Sequence, residues 1–196
     1  MTKAEKTREF IVAKTATVFN EKGFAGTSFN DLITSTGLSK GCIYGHFESK
    51  DEIALAAFDY NRNRISNYFD SQMIQKDTII NQLLVYPQII RRFPSIPAWQ
   101  GGCPILNTST EADDTHISLK QKAAEALSLW QDKIENQIKR GIESKEIKMD
   151  VNPKEIAILI VYLIESAVMQ AKVSGSMSNL RIAMDFLEKT IKNLSS

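Results

Sequence analysis

The sequence predicts an all-α protein, and three observations support this fold class. Apolar residues recur at intervals of three and four positions along most of the 196 residues, whereas the strict alternation of a half-buried strand is nearly absent. Five of the nine glycines lie among the first fifty residues, which indicates short helices joined by tight turns. Four of the five prolines lie between positions 87 and 104, which indicates a kinked connection between longer helices.

The N-terminal region predicts three short helices followed by a long one. Each begins at a residue whose side-chain oxygen favours a helix N-cap, and the first and fourth also have capping-box spacing. Gly23 and Gly37 are expected to end the first and second helices, because glycine readily adopts the left-handed conformation of a helix terminus. We expect the third helix to run to about Phe47. The predicted N-caps are Thr2, Thr27 or Ser28, Ser39 and Ser49.

The C-terminal region predicts three amphipathic helices. Apolar residues recur on one face of the first, between Leu127 and Ile142. Asn152 as N-cap and Pro153 in the first turn begin the second helix, which Gly175 ends. The third carries a continuous apolar stripe, whose members are Leu180, Ala183, Met184, Leu187, Ile191 and Leu194.

Composition excludes several classes of protein. Lys and Arg number 24 and Asp and Glu number 23, so the net charge of +1 excludes a polybasic, non-specific nucleic-acid binder but leaves a local basic face open. Two cysteines cannot build a disulfide framework. The charged N-terminus lacks an apolar signal core, and the longest apolar run, residues 156–164, is about half of a membrane span. We expect a cytoplasmic protein with no membrane partner.

The sequence has no pattern that indicates a bound metal or cofactor. His46 and His116 are the two histidines, and no spacing of cysteine and histidine fits a zinc site. No cofactor-binding motif is present. We therefore expect no metal, no cofactor and no catalytic residues.

The segment from Thr27 to Phe47 has the pattern of a helix-turn-helix, with two short helices on either side of Gly37. A short helix with small residues at its start can enter the major groove of double-stranded DNA. Lys40 supplies an ammonium and Gly41 a bare backbone, groups that reach phosphates and base edges.

Residues 37–53, GLSKGCIYGHFESKDEI, resemble the recognition-helix motif of the tetracycline-repressor (TetR/AcrR) family of transcriptional regulators. The similarity begins at Ile11 and continues through residues 19–24 and 27–33, so that it covers roughly the first fifty-three residues in order, spacing and residue type. Thr36, Cys42 and Gly45 depart from the residues that are common in the family.

The resemblance implies a ligand-responsive regulator, in the family's common mode a repressor, that binds a palindromic operator as a homodimer. It implies a helix-turn-helix domain over residues 1–48 and a helical effector-binding and dimerisation domain over residues 49–196. The residues expected to contact DNA are Thr27, Ser28, Thr36, Ser39, Lys40, Gly41, Cys42, Tyr44, Gly45, His46 and Lys50.

The last two predicted helices, about residues 153–174 and 178–194, are the expected dimer surface. Two such helices from each subunit would form a four-helix bundle. The alternative is that both apolar stripes are ordinary core within one chain. The residues expected at the interface are Ile156, Ile160, Leu163, Ala167, Ala171, Leu180, Met184, Leu187 and Ile191.

An effector pocket is expected between the fourth helix and the helix that carries Trp130. Aromatic residues near a proline-kinked segment can leave a cavity, and the effector is expected to be apolar or aromatic. Plain core packing is the alternative for each side chain. The predicted lining is Phe58, Phe69, Tyr86, Phe93, Trp99, Cys103, Asn107 and Trp130.

Cys103 supports two other readings of function. It follows two glycines and precedes Pro104, where a helix is expected to begin, and a cysteine beside a helix N-terminus can become nucleophilic. A thiol-based repressor that senses oxidants or electrophiles is therefore an alternative, and so is a helical enzyme that uses Cys103 with His116. Packing of a small residue at a tight helix entry is the simpler interpretation, and a purely architectural helical module is a further class.

Overall fold

The computed structural model describes residues 1–196 and confirms the all-α fold. Two short 3₁₀ turns, Phe93–Ser95 and Pro97–Trp99, follow the fifth helix, and a single antiparallel bridge joins Ile147 to Ser195. The helices are α1 (Lys3–Gly26), α2 (Phe29–Thr36), α3 (Lys40–Tyr44), α4 (Lys50–Met73), α5 (Ile79–Ile90), α6 (Pro104–Ala112), α7 (Ile117–Glu143), α8 (Pro153–Ser174) and α9 (Ser178–Lys192).

The chain forms two compact units. Unit 1 comprises residues 1–65 and 98–124, and unit 2 comprises residues 66–97 and 125–196. The predicted domains, residues 1–48 and 49–196, are defined by DNA binding and by effector binding and dimerisation, not by compactness. This division stays a prediction.

Side-chain caps explain where several of the helices begin. The Thr2 hydroxyl accepts the Glu5 N–H at 3.2 Å, and the Glu5 carboxylate accepts the Thr2 N–H at 2.7 Å, which completes the predicted capping box. Ser28, rather than Thr27, caps α2. Asn152 caps α8 as predicted, with Pro153 in its first turn.

Two predicted helix ends differ from the observed ones. The third helix ends at Tyr44, before the expected Phe47, and Gly45 forms its C-cap. Gly23 has φ +73°, which breaks the helix as expected, but the chain resumes helical geometry as far as Gly26. A carboxylate makes this continuation possible: Glu111 accepts the N–H groups of Phe24 and Ala25, each at 2.8 Å.

The core of unit 1 joins α1 to α4. Its ten buried residues come from all four helices and from Phe47 between α3 and α4, and Phe24, Ile33 and Leu38 are partly buried against them. The Asn61 amide donates to the Ala16 carbonyl at 2.8 Å, so a buried polar group of α4 is satisfied by the backbone of α1. The core consists of Ile11, Val12, Ala16, Phe19, Leu32, Ile43, Phe47, Ile53, Ala54 and Ala57.

The segment around α6 is fixed to α1 within unit 1. The Asn20 amide donates to the carbonyls of Gln100 and Gly102 at 2.8 and 3.0 Å. The Asn107 amide donates to the backbone and side-chain oxygens of Asn20 and to the Gly101 carbonyl, at 2.9–3.0 Å. Packing removes water from the backbone of this glycine turn, and these bonds replace the hydrogen bonds that its carbonyls lose.

Unit 2 is organised around α5, which is buried along most of its length and packs against α8 and α9. Arg91, just beyond α5, pairs with Asp185 and Glu188 of α9 at 2.7 and 2.6 Å. Lys192 and Arg91 hold the pKa of the Glu188 carboxyl below its ordinary value. α5 is thus joined to α9 by packing and by ion pairs.

α8 is long and apolar enough to cross a membrane by length and composition alone. A core helix of a globular protein passes the same test. Its buried positions pack inside unit 2, where Ile160, Val161 and Ile164 are almost fully buried.

Replacing Glu111 by Ala should lower the free energy of unfolding by about 1–3 kcal/mol, because a partly buried N–H at the Gly23 break loses its acceptor. Equilibrium urea unfolding measures the change. Glu9→Ala, at an exposed position of α1, is the control and should change stability by less than about 0.5 kcal/mol. An equal midpoint for Glu111→Ala and the wild type would contradict the proposed role of this carboxylate.

Candidate nucleic-acid interface

Within unit 1, α2 and α3 are joined by a turn whose shape depends on Gly37. This residue has φ +69°, and its N–H donates to the Ile33 carbonyl at 2.8 Å. A Cβ here would meet no atom within 4 Å, so the backbone conformation, rather than lack of space, favours glycine. The Thr36 hydroxyl accepts the Leu38 N–H at 3.2 Å and stabilises the same turn.

α3 presents a cation and an aromatic hydroxyl to solvent. Ser39 caps the helix by accepting the Cys42 N–H at 3.3 Å. Tyr44 is 45% exposed and stacks on Phe29 of α2, with ring centroids 4.7 Å apart and planes at 16°. The Lys40 ammonium lies 5.4 Å from the Phe29 ring centroid and 5.7 Å from that of Tyr44. The aromatic pair therefore restricts the position of Lys40.

Gly41 lies between these side chains on an open surface. A Cβ at this position would meet no atom within 4 Å, so nothing inside the chain requires glycine. The bare backbone leaves room for a partner to approach α3 closely.

Arg8 of α1 contacts the end of the α3 turn and the start of α4, a role that its local sequence does not predict. Its guanidinium donates to the His46 carbonyl and to the Glu52 carboxylate, and it lies 3.9 Å from the Phe47 ring centroid. Glu52 also accepts the Glu48 N–H; this bond and Arg8 lower the pKa of the Glu52 carboxyl below its ordinary value. In the sequence Arg8 is only one arginine on the first helix. Its local spacing does not distinguish it from a solvated cation.

The start of α2 has a second polar cluster. Asp31 accepts from the Ser28 N–H and hydroxyl, at 2.8 and 2.7 Å, and pairs with Lys22 of α1. Lys22 and Ser28 hold the pKa of the Asp31 carboxyl well below its ordinary value. Ser28 is exposed but already engaged with Asp31.

The predicted DNA contacts divide by exposure. Thr27 and Thr36 are buried, and their hydroxyls donate to the Gly23 and Leu32 carbonyls at 2.6 and 2.7 Å. The Lys50 ammonium donates to the carbonyls of Phe24 and Thr27 at 2.9 and 3.0 Å. These three residues therefore support the end of α1 and the turn. Exposed or half-exposed positions are Ser28, Ser39, Lys40, Gly41, Cys42, Tyr44, Gly45 and His46.

The eight predicted effector-lining residues fall in both units. In unit 1, Phe58 borders a cavity of about 20 Å³, room for about one water, and Asn107 is occupied by its bonds to Asn20. Trp99 and Cys103 are buried there as well, at 2% and 3% exposure. A reagent would reach the Cys103 thiol only after the start of α6 opened, so the structure does not favour the thiol-sensing alternative.

His116, the other residue of the enzyme alternative, is engaged in contacts within unit 1. Its ring lies 3.1 Å from the Asp51 carboxylate and packs edge-on against Phe24 at 4.6 Å between centroids. It also accepts the Leu119 N–H at 3.2 Å, at the start of α7.

In unit 2, three predicted lining residues come together. Phe69 and Tyr86 have ring centroids 5.0 Å apart, and Tyr86 also interacts with Trp130. Tyr86 donates its hydroxyl hydrogen to the Gln137 side-chain oxygen at 3.2 Å. Phe93 is buried in the same unit.

The predicted dimer residues lie mainly inside unit 2. Ile156 and Leu163 are half-buried, and the other seven have 0–6% exposure within one chain. Side chains so deeply buried have almost no surface left for a partner, which corrects their assignment to direct subunit contacts. The seven are Ile160, Ala167, Ala171, Leu180, Met184, Leu187 and Ile191.

Two family models match the chain over most of its length. The model described as "Bacterial regulatory proteins, tetR family" matches residues 11–57, which contain α2 and α3. The model described as "Tetracyclin repressor-like, C-terminal domain" matches residues 80–187.

Similar proteins agree with this assignment. A crystal structure of a TetR-family regulator from Cytophaga hutchinsonii is 38% identical with a TM-score of 0.94, covering 100% of this chain and 98% of that one. A TetR regulator from Chloroflexus aurantiacus is 35% identical with a TM-score of 0.92 and the same coverage. The repressor DhaR from Mycobacterium sp. strain GP1 is 22% identical over 96% of both chains.

The family models and the full-length similarity confirm the resemblance seen in the first fifty-three residues. The chain belongs to the tetR family of bacterial regulatory proteins and is a ligand-responsive DNA-binding regulator of transcription.

Proposed function

We propose that two copies of the chain bind a palindromic operator and repress transcription until a small-molecule effector releases them. The observation that carries this proposal is the exposed row of Lys40, Gly41 and Tyr44 on α3, held in place by the core of unit 1. A cation, an open backbone and a phenol hydroxyl on one short helix can reach phosphates and base edges together. The same proposal makes the protein cytoplasmic and non-catalytic, in keeping with a family of transcriptional regulators.

A dimer is needed because one helix-turn-helix makes few phosphate contacts. Non-specific binding of a single module at physiological salt is only about 10⁻⁴ to 10⁻⁶ M. Two recognition helices on a twofold axis double the contacts and match half-sites about 34 Å apart.

The exposed faces of α8 and α9 support a second copy of the chain as the partner. These helices bury one apolar face inside unit 2, yet large apolar side chains also project into solvent on the other side. Such a patch indicates a protein interface. On α8 the exposed side chains recur at spacings of three, seven and four residues, so they share one helix face, as in a helical bundle. They are Leu159, Tyr162, Met169 and Val173 on α8, and Ile182 and Phe186 on α9.

Release is proposed to act through α4. This helix begins at Lys50, six residues after α3 ends at Tyr44, so that a shift of α4 moves the recognition helix. A displacement of a few ångströms would remove the match of the two α3 helices to successive major grooves. The lining residues Phe69, Tyr86 and Trp130 remain our proposal for part of the effector site.

Lys40→Ala should weaken operator binding by about tenfold to a hundredfold, because a charge-assisted contact in the groove is lost. Fluorescence anisotropy with DNA from the region beside the gene measures the affinity at fixed salt. Lys120→Ala, an exposed lysine of α7, is the matched control and should bind like the wild type. Equal affinities for both variants would remove Lys40 from the interface.

Gly41→Ala separates groove contact from folding. The added methyl meets no atom of the chain, and alanine favours a helix over glycine by about 1 kcal/mol, so thermal stability should stay equal or rise. DNA affinity should nevertheless fall, because the methyl occupies the space of the approaching groove. Calorimetric melting and anisotropy on the same sample test both halves; unchanged affinity would place the DNA elsewhere.

Phe186→Asp should convert the dimer to a monomer and weaken operator binding with it. Phe186 is 59% exposed, so the change leaves the core of unit 2 intact. Sedimentation at micromolar concentration measures the mass, and Ile117→Asp, at a 75% exposed position on α7, is the control. A Phe186→Asp protein that sediments as a dimer would contradict the assigned face.

A further inference from the structure

Unit 2 contains an open cleft between the end of α4, the start of α5 and the last third of α7. Its volume is about 440 Å³, within the range of sites that bind small organic molecules. Residues of α4 and α7 that share one helix face, at spacings of three and four, form two of its walls. The lining is Asp70, Met73, Ile74, Gln82, Lys133, Asn136, Gln137 and Arg140.

The charges of the cleft leave one cation without a counter-charge. Lys133 and Asp70 form an ion pair across it. Arg140, seven residues or about two helical turns beyond Lys133, is exposed and forms no ion pair in the structure. A guanidinium on a concave surface is a natural partner for a carboxylate, to which it can donate two parallel hydrogen bonds.

Gln137 provides a second, independent indication of a ligand. Its side chain is buried, and its oxygen already accepts the Tyr86 hydroxyl at 3.2 Å. Its amide nitrogen donates only to the Met73 sulfur, at 3.3 Å. A thioether is a weak acceptor, so this amide has donor capacity that a ligand oxygen would use better.

The apolar part of the cleft lies beside these polar groups. Met73 forms part of its surface, and Ile74 is 84% exposed at its edge. An acidic group at Arg140 would therefore leave an attached hydrocarbon against Met73 and Ile74.

We propose that this cleft binds a small organic carboxylate with an apolar body, whose acid group meets Arg140 and the Gln137 amide. The inference rests on the proposed function in one respect: we assign this ligand class to the effector that releases DNA. Asp70 and Met73 belong to α4, so that a bound acid contacts the helix through which release is proposed to act.

The test uses the full-length protein and four acids, benzoate, 2-naphthoate, octanoate and decanoate, each paired with its neutral amide. Isothermal titration calorimetry without DNA should show millimolar or tighter binding of at least one acid and at least tenfold weaker binding of its amide. Arg140→Gln should weaken that acid about tenfold or more, because a charge-assisted contact is lost. Arg181→Gln, an exposed arginine of α9 outside the cleft, is the control and should bind like the wild type.

Three results would overturn the proposal: no binding of any acid, equal binding of acid and amide, or equal weakening in Arg140→Gln and Arg181→Gln. Circular dichroism first establishes that both variants are folded. A parallel anisotropy titration separates this proposal from the proposed function. Acid binding in a protein that ignores all operator fragments would refute the regulator alone, and operator binding without acid binding would refute the carboxylate site alone.

Discussion

The break in α1 at Gly23 is the constraint on which unit 1 depends. Its φ of +73° favours glycine, and a Cβ here would lie 2.4 Å from a Glu111 carboxylate oxygen, so a larger residue would displace the carboxylate that accepts the Phe24 and Ala25 N–H groups. Glu111 satisfies the N–H groups that the break exposes, and Asn20 and Asn107 satisfy the glycine turn before α6. A chain segment some 80 residues away in sequence thereby fixes the helix against which α2, α3 and α4 pack.

Local features of the sequence account for what could be predicted. Caps, glycine termini and apolar spacing act over three or four residues, which is why the helix order, the Asn152 cap and the turn at Gly37 were predictable. Arg8 and Glu111 were not, because their partners lie 38 and 87 residues away and no periodic pattern connects them. For the same reason the sequence could not distinguish Thr27, Thr36 and Lys50, which bind backbone carbonyls, from the exposed residues of the candidate interface. Residue type alone does not show whether a polar side chain faces solvent or a carbonyl.

Apolar periodicity also has a limit that α8 makes clear. A stripe predicts that a helix face is covered but does not say by what. One apolar face of α8 and α9 is covered by their own chain, and apolar side chains on the other, such as Tyr162 and Phe186, are exposed. The periodicity of a helix that is apolar on two faces therefore identifies the face that packs inside the chain only once the structure is known.

The brevity of α3 has a consequence for how sequence change acts on such a protein. Five residues, one of them glycine, form no stable helix in water, so α3 takes its shape from Ile43 and Phe47, which anchor it in the core. The geometry of the DNA-contacting helix therefore depends directly on the packing of the core. A mild core substitution that leaves the chain folded can therefore lower DNA affinity, although the substituted residue touches no nucleotide.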